Sequence, residues 1–171
     1  AVPFEKRADY LNRRYGKNAP HIIDEYKKHL KTMPEYEAWN TLMTEFNYGA
    51  AAREFTYMLA TSGAKVYSYR WDLYDESIPV HGAELRYVYR YSSKESPEGY
   101  LPEYEFVSKM VNDAWNKFAA TGDPRTAELP DWEAYTNATN GKRMYFSDHP
   151  SAEPFDLNGY DHEYIMQEII L

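Results

Sequence analysis

The 171 residues make a chain the size of one ordinary globular domain, and 43% hydrophobic residues are enough for a core. Its 27 acidic against 19 basic residues leave a net charge of −8, which repels phosphate backbones and anionic headgroups and sets nucleic acid and membrane surfaces aside as partners. With no Cys there is no disulfide, no thiolate metal site and no Cys nucleophile.

No run reaches the roughly 18 consecutive apolar residues of a membrane helix, and "AVPFEKRADYLNRRYG" lacks the apolar core of a secretory signal. The chain begins at Ala rather than Met, which reads as a processed or excised piece. Its 18 Tyr and 4 Trp favour semi-buried packing over a sugar-binding or aromatic-lined site.

The first third reads as helix broken by punctuation. "FEKRADYLNRRYG" ends in a Gly suited to a C-cap, "NAPHIIDEYKKHL" places Ile22, Ile23, Tyr26 and Leu30 on one face, and "MPEYEAWNTLMTEF" has Pro34 near a helix start. From about Tyr48 to Leu59 a further helix carries Ala51, Phe55, Met58 and Leu59 at helical spacing and stops at Ser62-Gly63. "AKVYSYRWDL" follows, its Val66, Tyr67, Tyr69 and Trp71 predicting a strand. An acidic, proline-bearing loop comes next, and then His81; rigid scaffolds commonly display catalytic side chains on such loops.

"PEYEFVSKMVNDAWNKF" lines Tyr104, Val107, Val111, Ala114, Trp115 and Phe118 along one helical stripe, and "ATGDP" closes it with a Gly and a Pro. "WEAYTNATNGKRMYFS" reads as an aromatic anchor, a turn at Asn140-Gly141 and a short strand from Arg143 to Phe146, with a last helix near "HEYIMQEIIL". No repeat or internal domain boundary is visible. One strong strand and one weaker strand make an incomplete sheet, because an unpaired edge leaves N–H and C=O groups free to associate.

Taken in order, "GAKVYSYRWDL", "VHGAELRYVY", "MVNDAWNKFAATGDP", "PDWEAY" and "RMYFS" resemble the C-terminal portion of type-B carboxylesterases, the cholinesterase-like branch of the α/β-hydrolases. The resemblance covers Leu42 to Phe146 well and the flanks loosely. It implies an α/β fold, the C-terminal part of an α/β-hydrolase, mostly helical with a few sheet strands. The expected layout is one segment: helical over 1–62, strand and His loop over 63–92, and helices with a short strand over 93–171.

In that family an HGxEL-type turn holds the catalytic His, a long helix ends in "NFAxTGxP", and "WPxY" follows. Carried over, His81 matches the catalytic His and Glu84 a neighbouring buried acid that supports the site. Asn116, Phe118, Ala119, Gly122, Pro124, Trp132 and Tyr135 match structural positions. Arg90 and Tyr91 depart from the Phe-Gly that often follows "YV", which would alter the pocket wall, and Glu133 replaces the Pro of "WPxY" as a surface change.

A serine hydrolase needs an imidazole that takes the Ser hydroxyl proton and returns it to the leaving alcohol. The chain order in this fold is Ser, acid, His, and only the last stands here. None of the 8 Gly is followed two places later by Ser, and no HGGG-type oxyanion loop is present. The resemblance therefore implies the C-terminal fragment of a serine carboxylic-ester hydrolase acting on small-molecule esters, inactive by itself, partnered by a missing N-terminal portion or by its own copy through an exposed sheet edge. The competing readings are a non-catalytic cholinesterase-like interaction module and a self-associating remnant domain.

Glu84 and His81 could instead share a metal on one helical face, but no third ligand stands at recognisable spacing, and no metal is expected. His21, His29, His149 and His162 read as solvated, and Asn137-Ala138-Thr139 as a chance glycosylation pattern. No phosphate loop or dinucleotide fingerprint implies a cofactor.

Overall fold

Residues 2–75, 79–136 and 138–154 are described by a computed structural model, and they fall into two compact units, 2–55 and 56–154, divided where the sequence shows no boundary. The expected helix near "HEYIMQEIIL", His162 and Asn137 all lie outside the described residues.

In the first unit a 3-10 turn at Phe4–Lys6 leads into α1 (Arg7–Tyr15), then α2 (Ala19–His29) and α3 (Glu35–Thr44). Gly16 ends α1 at φ 53°, a left-handed conformation that suits a residue without Cβ. Pro20 opens α2 where its missing N–H has no intrahelical acceptor to satisfy, and Pro34, extended at φ −56° and ψ 151°, caps α3. These breaks fold the helices around Leu11, Ile22, Ala38, Leu42 and Phe46. Arg7 enters this core only because its charge is answered there. Its Nη1 lies 2.9 Å from the Glu35 carboxylate and donates to the Tyr26 hydroxyl, and the guanidinium sits 4.8 Å from the Trp39 ring centroid.

α3 runs through a π turn at Glu45–Gly49 into α4 (Ala50–Thr61). The stripe expected to pack from α4 is the outer one: Phe55, Met58 and Leu59 are 65%, 53% and 48% exposed, while Ala50, Arg53, Thr56 and Ala60 are buried. Hydrophobicity misreads this helix because an ion pair fixes its inner side, with Arg53 Nη2 3.4 Å from the Glu45 carboxylate across the π turn.

Within the second unit Gly63, at φ 96°, releases the chain from α4. Val66 bridges Tyr135 through paired backbone hydrogen bonds, and β1 (Ser68–Trp71) follows. β2 (Lys142–Phe146) lies parallel to β1, with Tyr69 opposite Met144 and Trp71 opposite Phe146. β3 (Ser151–Pro154), absent from the sequence expectation, pairs antiparallel on the far side of β2, so the order is β1-β2-β3. Parallel strands need a long crossover. Here it contains the short α5 (Leu85–Val88) and the long α6 (Glu105–Thr121).

α6 buries Val107, Val111 and Ala114 as its periodicity predicts, and Met110 beside them, but Phe118 at the end of the stripe is 48% exposed. Gly122 stops the helix at φ 76°, its N–H donating to the Phe118 carbonyl at 2.7 Å. Beyond it the Asp123 carboxylate accepts the Arg125 backbone N–H at 3.0 Å and Nε at 2.9 Å, which fixes the chain around Pro124 and holds that carboxyl well below the usual carboxylate range. On the sheet, alternation turns Met144 and Phe146 inward together with Trp132.

The turn expected at Asn140-Gly141 does not form, and Gly141 is a glycine for space. A Cβ on Gly141 would stand 2.6 Å from both the Glu133 carbonyl oxygen and the Tyr135 nitrogen, backbone atoms that carry the Lys142–Glu133 and Val66–Tyr135 hydrogen bonds. Gly141→Ala is expected to cost about 1–3 kcal/mol by overpacking, read as a lower denaturation midpoint.

Candidate active site

β1 gains one more ladder bond past Trp71, from the Asp72 N–H to the Phe146 carbonyl at 2.8 Å, and the chain then leaves the sheet. It returns in a tight turn, closed by the Ala83 N–H on the Val80 carbonyl at 3.0 Å and the Leu85 N–H on the Gly82 carbonyl at 3.1 Å. His81 sits exposed on this turn. Gly82 follows at φ 79°, where an added Cβ would meet only Leu85 Cδ1 at 3.5 Å, so the position requires glycine for its left-handed backbone and not for room.

Glu84 caps α5 through its carbonyl, which accepts the Val88 N–H at 2.9 Å and the Tyr87 N–H at 3.0 Å. Its side chain is half-buried, and the Tyr69 hydroxyl faces its Oε1 across a long 3.5 Å contact. Desolvation first, and the Glu84 carboxylate second, push the Tyr69 phenol up to about 12, so it stays a neutral donor toward Glu84 through ordinary pH.

α5 is too short to hold itself, and α6 supports it. Ser108 Oγ donates to the Tyr87 carbonyl at 2.9 Å, which also accepts the Arg90 N–H at 3.1 Å, and Asn112 Nδ2 donates to the Val88 carbonyl at 2.8 Å, so two carbonyls at the end of a four-residue helix are held from α6. Neither residue stands out beside the apolar stripe of α6. The available signal was polar groups four apart on an otherwise buried face, a pattern that suits docking a second backbone.

Beside Tyr69 lies an apolar concavity of about 190 Å³ lined by Tyr67, Tyr69, Trp115, Phe118, Pro124 and Trp132. Its walls are rings meeting edge to face, with Tyr69 and Trp115 centroids 4.9 Å apart. Of the positions matched to the family pattern, Phe118, Pro124 and Trp132 line this hollow, Tyr135 is buried, and Glu133 is exposed. The pair directly following "YV" is Tyr89 and Arg90 rather than Arg90 and Tyr91, so the glycine's place falls to Arg90, which adopts φ 57° as the one left-handed non-glycine among the described residues. Its guanidinium pairs with Glu105.

Among the described residues no three His, Asp or Glu side chains gather as a metal cluster, and no helix is long and apolar enough to cross a membrane. The arrangement offers one imidazole, displayed on an exposed turn whose following helix, α5, is anchored by Ser108 and Asn112 of α6. Such a group can carry a proton between two reacting oxygens, the role of a general base and acid.

A sequence model of the carboxylesterase family matches residues 4–163. The carboxylesterase EST55 of Geobacillus stearothermophilus, in its crystal structure at pH 6.2, is 28% identical with a TM-score of 0.73, over 92% of this chain and 34% of that one. An esterase of Clostridium hathewayi shares the fold at 21% identity and a TM-score of 0.60, over 98% of this chain and 33% of that one. Human bile salt-activated lipase is 33% identical over 88 residues, 46% of this chain and 12% of the lipase. The chain thus spans about a third of the solved structures it matches.

Proposed function

We propose, for a chain that belongs to the carboxylesterase family of α/β-hydrolases, that it forms the C-terminal part of a serine carboxylic-ester hydrolase and contributes His81 as the general base. The observation that carries this reading is the display of His81 on an exposed turn in the connection between β1 and α5, with Gly82 in a left-handed backbone next to it.

In the reaction a serine oxygen bonds to the ester carbonyl carbon while its proton passes to the His81 imidazole. The imidazole returns that proton to the departing alcohol oxygen as the ester C–O bond breaks, and water repeats both steps on the acyl-enzyme. The serine, the oxyanion donors and the acid that orients the imidazole belong, on this reading, to sequence N-terminal of these residues. Glu84 supports the turn, as a half-buried carboxylate that takes the Tyr69 hydroxyl and whose backbone starts α5. The partner for the edge of β1 not taken by β2 is that N-terminal portion or a second copy of the chain.

The test is ester hydrolysis by the 171-residue chain. With p-nitrophenyl acetate, the wild-type chain and His81→Ala are both expected to release product slowly and without saturation, no faster than free imidazole at a matched imidazole concentration. Saturable turnover that His81→Ala abolishes would overturn the reading that the isolated chain is inactive.

A further inference from the structure

Asp75 and the pair Arg86-Tyr87 lie on opposite sides of His81 in the sequence, yet the fold joins them. Asp75 Oδ2 accepts the Tyr87 hydroxyl at 2.5 Å and pairs with the Arg86 guanidinium. Only 12% of the Asp75 side chain is accessible, so this charge-assisted contact is sheltered from water, where such bonds are strongest. Tyr87 is a rigid mount for it. The residue is 0% exposed, its ring lies 4.8 Å from that of Trp71 on β1 and 5.3 Å, stacked, from that of Tyr100, and its carbonyl is held by Ser108. Burial first and the Asp75 acceptor second raise the Tyr87 phenol far above its ordinary range, so its hydroxyl remains a donor.

We propose that Asp75 is a positioning residue for His81: by receiving Tyr87 and Arg86 it ties the chain before the His turn to the helix after it, and so confines where the imidazole can stand. The tie adds to the hold that α6 has on α5 and that Tyr69 has on Glu84, and it acts on the side of the turn that precedes His81. Confinement matters because a proton shuttle must stay within hydrogen-bond reach of two oxygens in turn, and a displacement of about 1 Å costs rate steeply. The consequence for catalysis rests on the proposed role of His81; the tie itself does not.

Hydrogen–deuterium exchange on the 171-residue chain tests the tie. Tyr87→Phe keeps the ring and removes only the hydroxyl, so the fold has no cavity to lose. Exchange at residues 79–86 is expected to rise about tenfold in Tyr87→Phe and in Asp75→Ala, with β2 and α6 unchanged, because local opening is governed by local contacts. Asp75→Asn, which keeps an acceptor oxygen, should restore most of the protection. Unchanged exchange at 79–86 in Tyr87→Phe overturns the proposal, and so does a rise spread equally over β2 and α6, which would make the contact a general fold support. In the longer polypeptide, Asp75→Ala should lower kcat about tenfold with KM held, and Asp75→Asn should recover it. A kcat unmoved by Asp75→Ala beside a His81→Ala that abolishes hydrolysis rejects the positioning role and keeps the base; a harmless His81→Ala rejects the base and leaves the tie to the exchange data.

Discussion

Trp132→Ala is expected to destabilise the sheet-bearing unit by about 3–5 kcal/mol, the range for removing a large buried ring and leaving its cavity. The ring is 2% exposed and meets Phe146 and Tyr67 edge to face, each at a centroid distance of 5.7 Å. Its Nε1–H donates to the Ser68 carbonyl at 3.0 Å, so truncation also strips a donor from the first residue of β1. Since domains of this size are stable by about 5–15 kcal/mol, the loss would consume much of the margin. Trp132→Phe keeps a six-membered ring but loses the N–H together with part of the indole, so about 1 kcal/mol is expected from the hydrogen bond and about 1 kcal/mol more from lost packing. Urea denaturation of both variants checks the ordering. Equal effects would mean that the hydrogen bond, not the packing, anchors Trp132.

Such a prediction draws on features of two kinds. The apolar stripe of α6, the Gly122 stop, the aromatic strand at β1 and the turn that displays His81 were all legible, because each depends on local periodicity or on one residue's backbone preference. β3 was not, since "SAEP" carries no β-branched or aromatic signal and is a strand only because β2 offers it a free edge. The inner face of α4 was hidden for a related reason. Glu45 and Arg53 are ordinary surface residues in sequence, and only the π turn between them brings the pair together and turns Phe55 and Met58 outward. At the site, His81 and Glu84 came from a motif, whereas Asp75, Tyr87, Ser108 and Asn112 act on backbone or loop groups distant in sequence. Their partners follow from the packing of α5 on α6 rather than from spacing along the chain.

In the longer polypeptide that the proposed function requires, His81→Ala is expected to lower kcat by about 10⁴-fold or more, because no other group then takes the serine proton as the carbonyl is attacked. KM should change little, since the imidazole meets the reacting oxygens in the transition state and contributes little to holding the ground-state ester. Glu84→Gln keeps its size and its ability to accept the Tyr69 hydroxyl, and its backbone still starts α5. It is therefore expected to cost only about tenfold, so the two variants distinguish proton transfer from support of the turn. Labelling by a fluorophosphonate probe supplies the decisive comparison. The probe forms its bond to the serine oxygen, so His81→Ala should slow labelling in step with kcat, whereas a His that merely shaped an ester pocket would spare the small probe. Normal labelling in His81→Ala would place the general base elsewhere and leave His81 as an exposed residue on a well-anchored turn.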